Sequence, residues 1–340
     1  MTDHDLNCDA NDAPSHERLE AAVRRGLHLS ETIPILMREV GAWANINYVY
    51  RVEIPGRRFY LKVVPERPKR FPVRLPRERV FSEGEGLRRF HNLAGSEIVI
   101  PELLFIDSEE MALAMSDVGD GREVLLTLLP DRFDLLGEQA GVLGRALGSV
   151  HGATRGGGTP RPPKEEIIIR RVIFDGLLAP GANKAFPELW DEVRAEMEEH
   201  EECLIHGDLW SKNLLVRAGA PVAVVDFEGV CYGDPAFDLG TLIAVALLPA
   251  IEQPALVREA LAFTVALLQA WTSTCGCEGW SCEVVPRALR ATATFLAARA
   301  FGPFAYSMSR SARKRIGELA HSLAAHPPSD VKAFRARVAL

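Results

Sequence analysis

Polar and apolar positions follow two different periods along this chain. Over 35–40, 48–54 and 58–64, β-branched and aromatic residues recur as short runs, which predicts three strands, and Pro55-Gly56 marks a tight turn between the last two. A short helix is predicted over 16–27. A linker carrying Pro65, Pro68, Pro72 and Pro76 leads to a helical segment at 77–93, and two more strands are predicted at 103–106 and 111–115. Beyond these the period becomes helical. Leu143, Leu147 and Val150 share one face of a core helix over 134–153, and Gly156-Gly157-Gly158 through Pro163 is a flexible break. An acidic helix is predicted over 186–202, short strands within 204–227, and mostly helix from Phe237 onward. No internal repeat is evident. A strand-rich front and a helix-rich back predict an α+β protein of two unlike lobes with a cleft between them. The expected divisions are an extension with a short helix at 1–30, a small antiparallel-sheet lobe with one helix at 31–117, and a larger, mostly helical lobe at 118–340.

Composition changes this picture little. The 340 residues are 47% hydrophobic and 25% charged, ordinary for a soluble globular protein. A net charge of −7 argues against nucleic acid as the main partner, because phosphate backbones are held by clustered cations. The local basic run Arg67, Lys69, Arg70, Arg74, Arg77 and Arg79 reads as a solvated surface segment. Residues 1–15 are acidic and polar, with no apolar core for a signal peptide. The longest apolar run, 239–251, is too short for a membrane span and contains Pro249. A cytoplasmic protein with no membrane partner is therefore expected. Of the six cysteines, Cys275, Cys277 and Cys282 cluster without a clear fourth zinc ligand, so reduced thiols are expected there.

The strongest chemical signal is Ile205-His206-Gly207-Asp208-Leu209-Trp210-Ser211-Lys212-Asn213. An Asp and an Asn five positions apart at the mouth of a short strand can converge on one reacting group, the Asp taking a hydroxyl proton and the Asn oxygen reaching a cation. Next, the apolar strand Ala223-Val224-Val225 ends abruptly in Asp226-Phe227-Glu228. Carboxylates beside a core strand need a compensating cation or hydrogen-bond network, and a magnesium ion with bound phosphates would serve, because hard oxygen ligands suit it. As turn caps, Asp208 and Asp226 would need no ligand. Asp238, in Gly233-Asp234-Pro235-Ala236-Phe237-Asp238, is expected to open a helix as cap or near-cap and to brace the loop.

His-Gly-Asp-x-x-x-x-Asn, Asp-Phe-Glu and Gly-Asp-Pro-x-x-Asp-Leu, in this order, resemble the aminoglycoside phosphotransferase and choline kinase superfamily of protein-kinase-like folds. The resemblance runs from about 41 to 325 and is weakest in 154–203. Methylthioribose kinases are the most similar members in their Asp-x-Glu and in the surroundings of Glu83, and they depart at Asn213, where their residue is smaller. Fructosamine kinases share the first motif but have Asp-Pro-Ala at the second. The resemblance implies a bilobal protein-kinase-like fold, ATP and Mg2+ as cofactors, and Asp208 as the catalytic base. It implies Asn213, Asp226 and Glu228 as metal ligands.

It also calls for a lysine on the third strand and a helical glutamate to pair with it. Lys62 sits inside the apolar strand Phe59-Tyr60-Leu61-Lys62-Val63-Val64. Val80, Glu83, Leu87 and Phe90 fall on one helix face, so Glu83 points inward while Glu85 points away with Arg88 and Arg89. In the phosphate-covering loop 41–47, with its single glycine, Asn45 and Asn47 are candidate phosphate contacts. Met115, Ser116 and Val118 would offer backbone groups to adenine.

A small-molecule hydroxyl acceptor follows from what the chain lacks. Gly207, not Arg, precedes Asp208, and only eleven residues separate Asp226 from Asp238, too few for a protein kinase's activation segment. A helix bearing Glu188, Asp191, Glu192, Glu196, Glu198 and Glu199 reads either as a lining for a cationic acceptor or as a solvated face. Arg299, Phe301, Phe304 and Tyr306 read either as acceptor contacts or as ordinary helix residues. A sugar-like, amino-alcohol or aminoglycoside-type acceptor is expected. The alternative from another class is a catalytically idle nucleotide-binding module.

Overall fold

The computed structural model describes residues 14–40, 46–69, 74–157, 172–276 and 278–338. Two compact units are present, one formed by Met1–Arg88 with Pro101–Asp117, the other by Arg89–Ile100 with Val118–Leu340.

The first unit is built on α1 (His16–Leu27), β1 (Leu36–Val40), β2 (Tyr48–Ile54), β3 (Arg57–Val63), most of α2 (Arg79–Leu93), β4 (Leu103–Asp107) and β5 (Ala112–Ser116). Its five strands form one antiparallel sheet in the order β1-β2-β3-β5-β4. Alternation along β3 separates its two faces. Phe59, Leu61 and Val63 join Tyr50, Val52, Ala112 and Ala114 in a core that Leu19 and Val23 of α1 also enter. Lys62, between them in sequence, projects to the opposite face, paired across the ladders with Val49 and Leu113. The Pro55-Gly56 turn is realised with Gly56 at φ 75°, a left-handed conformation open to glycine.

The second unit opens with β6 (Glu123–Val124), α3 (Leu125–Leu128) and α4 (Phe133–Thr154). A π-helical stretch at Val172–Leu178, α5 (Ala179–Ala185) and α6 (Trp190–Glu199) follow. Four short strands come next, β7 (Cys203–Ile205), β8 (Leu214–Val216), β9 (Ala223–Val224) and β10 (Cys231–Gly233). The chain then continues through α7 (Pro235–Glu252), α8 (Val257–Thr274), α9 (Glu278–Phe301), α10 (Arg310–Ala325) and α11 (Val331–Val338). β7 pairs with β10, and β6, β8 and β9 form a three-stranded sheet. α4 packs on α8, and α9 on α7 and α10. Gly144, Gly148 and Gly152 let α4 and α8 close up: a Cβ on Gly144 would lie 2.4 Å from the Leu267 oxygen.

Two expectations need correcting. The basic run is not uniformly solvated: Arg74 pairs with Glu66 at the surface, but Arg79 is 1% exposed and donates to Asn47 Oδ1 and the Pro76 carbonyl. The apolar run 239–251 lies in an eighteen-residue helix. Pro235–Glu252 and the stretch Pro254–Thr274 are both long and apolar enough to cross a membrane by length and composition, although 89% of the first is buried within the protein. A buried polar network and a surface ion pair within one basic segment should respond differently to truncation. Arg79→Ala is expected to lower the unfolding free energy by about 1–3 kcal/mol, and Arg74→Ala by less than about 0.5 kcal/mol, in urea denaturation followed by circular dichroism.

Candidate active site

Asp208 begins a loop that the chain closes on itself. After β7, Gly207 takes φ 78°, and a Cβ there would meet the Gly229 oxygen at 2.2 Å, so both conformation and space demand glycine. The Asp208 N–H donates to His206 Nδ1 (3.2 Å), and the Asn213 N–H to the Trp210 carbonyl (2.8 Å). Asn213 Nδ2 reaches both the Asp208 carbonyl and Asp208 Oδ2 at 2.8 Å. Lys212 Nζ lies 3.2 Å from the same Oδ2. One carboxylate oxygen is thereby held, and the Asn213 amide is oriented with its own oxygen turned away from Asp208.

The Val225 N–H donates to the Asn213 carbonyl at 3.0 Å, tying this loop to the β9 end from which Asp226 emerges. Asp226 adopts φ 71° and ψ 73°, a left-handed conformation that costs a non-glycine residue about 1–2 kcal/mol. Strain of that kind persists at functional positions. Burial opposes the charge on Lys212, yet the carboxylates of Asp208, Asp226 and Glu228 outweigh it and raise its pKa. All three carboxylates thus act on one ammonium, from which Asp208 is 3.2 Å away. Asn213, Asp226 and Glu228 carry oxygen donors of the kind that suits magnesium, while among the described residues no cluster of three His, Cys, Asp or Glu side chains is arranged to hold a metal ion. Lys212 was not among the expected site residues, and its signal, a cation inside the Asp208–Asn213 motif, was there to be read.

The loop is anchored from behind by Asp238. Its carboxylate has no exposed surface and accepts the N–H groups of His206 (2.7 Å) and Gly207 (2.9 Å). His151 Nε2 completes it at 3.3 Å. Trp271 Nε1 donates to His151 Nδ1 at 3.0 Å, which leaves the ring proton on Nε2, facing Asp238. The α7 cap is Asp234, whose side chain accepts the Ala236 N–H, and Asp238 stands near that cap in the first turn, from where it braces the loop.

In the first unit, Lys62 Nζ sits 2.7 Å from Glu83 Oε1, both side chains about 5% exposed or less, while Glu85 faces solvent with Arg88. Asn47 is buried and accepts from Arg79, and Asn45 lies outside the described residues. Ser116 exchanges backbone and hydroxyl bonds with Glu102, Met115 pairs across from Tyr60, and the Val118 carbonyl accepts from Arg122. Acids of the 190–199 helix are engaged elsewhere: Glu192 and Glu196 with Arg290, Glu198 with Arg194. Cys275 is buried and reduced, Cys282 exposed and reduced, and Cys277 lies outside the described residues.

A family model described as the phosphotransferase enzyme family matches residues 41–277. A 4-hydroxytryptamine kinase of Psilocybe cyanescens is 28% identical over 185 residues, 48% of this chain and 51% of that protein. The chain thus matches only about half the length of this curated relative. Among solved structures, a microcompartment-associated aminopropanol kinase superposes with a TM-score of 0.53 at 18% identity, covering 94% of this chain and 99% of the other. A choline/ethanolamine kinase family protein of Mesorhizobium loti gives 0.51 at 16% identity, over 95% and 99%. An ethanolamine kinase of Plasmodium vivax gives 0.52 at 13% identity, over 93% and 90%. These likenesses establish the fold as the kinase-like one the motifs imply.

His206 makes the packing of this loop sensitive to acid. Burial lowers its pKa from the ordinary 6.5, against the pull of Asp238, Asp208 and Asp226. Below that ordinary value the unfolded chain binds a proton the folded chain refuses, so stability is lost as pH falls. Unfolding free energy is expected to drop below about pH 6.5 by up to about 1.4 kcal/mol per pH unit, with a shallower slope in His206→Asn when measured by urea titration. Gly207→Ala should destabilise by more than about 2 kcal/mol, read as a shift in the urea midpoint.

Proposed function

The chain belongs to the phosphotransferase enzyme family, and from that premise we propose that it transfers the terminal phosphoryl group of ATP to a hydroxyl of a small molecule. The observation that carries this reading is the Asp208 carboxylate, held through one oxygen by Asn213 and Lys212 beside the Asp226 and Glu228 carboxylates. The second oxygen is left to receive the proton of an acceptor hydroxyl. As the acceptor oxygen bonds to phosphorus, the bond from phosphorus to the ADP oxygen breaks, and the hydroxyl proton passes to Asp208. Lys212 is assigned to the phosphoryl oxygens, where its fixed charge offsets the charge that spreads over them. Asn213, Asp226 and Glu228 would hold magnesium, which when bound neutralises phosphate charge. Lys62 would steady the nucleotide phosphates, with Glu83 keeping its ammonium in place. Asn45 and Asn47 are assigned to the phosphate-covering loop, and Met115, Ser116 and Val118 to the adenine.

The named relatives and neighbours carry kinase activities toward amino alcohols and an indole amine. They support a small hydroxyl acceptor in general, and a cytoplasmic kinase working on free metabolites accords with this. The test is magnesium-dependent ADP release over a panel of sugars, amino alcohols, hydroxy acids and aminoglycosides. Asp208→Asn is expected to lower turnover by about 10²–10⁴ with ATP binding retained. Full activity in that variant would remove Asp208 from the chemistry, and ATP binding with no acceptor turned over would favour the idle module. Asp226→Gly should abolish turnover while leaving the melting temperature unchanged or higher, because the left-handed strain and one like charge are both removed.

A further inference from the structure

Helix α9 carries three buried arginines, and only two are answered. Arg287, 9% exposed, meets Asp234 at 2.8 Å and Glu202 at 2.8 Å. Arg290, 8% exposed, meets Glu192 at 2.6 Å, Glu196 at 3.2 Å and the Ala324 carbonyl at 3.1 Å. Arg299, at 6% the most buried of the three, has no carboxylate partner among the described residues, and its Nε has no hydrogen-bond partner. Its guanidinium lies instead over the Trp210 ring, 3.8 Å from the centroid, and 5.5 Å from that of Tyr306.

A guanidinium cannot shed its charge on burial, and stacking on rings offsets only part of the lost hydration. Elsewhere on the same helix the chain supplies carboxylates for this need. At Arg299 it supplies two aromatic rings and leaves the buried Nε donor without an acceptor. The position is telling. Trp210 is two residues beyond Asp208, and the Tyr306 hydroxyl lies 3.4 Å from Ser211 Oγ in the same loop.

We propose that Arg299 recognises an anionic oxygen group on the acceptor, a carboxylate or a phosphate, so that the acceptor is a hydroxylated anion and not a simple cationic amino alcohol. This rests on the phosphoryl-transfer reading above. The fork of a guanidinium fixed between two rings matches either anion through paired hydrogen bonds. Such a contact sets which hydroxyl meets Asp208 without taking part in the transfer, which makes Arg299 a specificity residue.

Four acceptors with small skeletons separate the possibilities: glycerol, glycerate, glycerol 3-phosphate and ethanolamine. The proposal expects kcat/KM for glycerate or glycerol 3-phosphate to exceed that for glycerol and ethanolamine by roughly ten- to a hundredfold, the scale of one charged hydrogen bond. Glycerate against glycerol 3-phosphate tells carboxylate from phosphate. Arg299→Met should erase the advantage through KM, and Arg299→Lys should restore part of it. Independently of turnover, acetate or inorganic phosphate titrated at constant ionic strength should change tryptophan fluorescence saturably in the wild type. That change should vanish in Arg299→Met and in Trp210→Phe. A preference for glycerol or ethanolamine, or no saturable response to either anion, overturns the proposal. If other alcohols are still phosphorylated, the phosphoryl-transfer reading survives that loss. If no alcohol in the wider panel is, both fail together.

Discussion

A single buried carboxylate sets the geometry of this protein's chemistry. Asp238 has no contact with water, so its charge must be met by donors within the fold. Two of these are the backbone N–H groups of His206 and Gly207, and the third is His151, whose tautomer is set by the Trp271 indole. Because α4 and α8 approach closely along a glycine stripe, His151 and Trp271 arrive at a fixed separation. The loop start is thus determined by helix packing well behind it. Gly207 then turns left-handed against Gly229, and Asp208 follows as the first side chain beyond the clamp.

Around that fixed point the charges are arranged unequally. Asp208 meets the Lys212 ammonium at 3.2 Å, and the charges of Asp226 and Glu228 also act on that ammonium. The left-handed Asp226 adds backbone strain. Arg299, stacked against Trp210 of that loop, is a buried cation with no carboxylate partner among the described residues. A fold that answers Arg287 and Arg290 with carboxylates has the means to answer Arg299 too, and its not doing so points to a ligand. In the first unit, Lys62 and Glu83 meet at 2.7 Å, which gives the lysine a carboxylate partner inside an apolar strand.

Much of this was legible from periodicity and motif. Lys62 stood out as a lysine inside the apolar strand predicted over 58–64, and the helical stripe of Val80, Leu87 and Phe90 turned Glu83 inward as its natural partner. Asp208 and Asn213 drew attention by their spacing, and their roles were read from the ordered motifs and the family resemblance. What escaped depends on contacts distant in sequence. His151 looks like any polar residue on an apolar helix face until Asp238, 87 positions away, is brought against it. Arg79 belongs by composition to a basic surface run, and only the fold shows that Asn47 waits for it. Arg299 is no different in sequence from Arg287 and Arg290; the difference lies wholly in what other elements place beside each.

The central claim is that the terminal phosphoryl group of ATP leaves as an ester of an organic hydroxyl. Following ATP labelled in that phosphorus by phosphorus-31 NMR and mass spectrometry, with an acceptor whose hydroxyl oxygen is oxygen-18, tests it most directly. The account predicts a new phosphate monoester that retains the labelled oxygen in its carbon–oxygen–phosphorus bridge, formed together with ADP. Label appearing only as inorganic phosphate, or remaining in ATP across every acceptor offered, would contradict it.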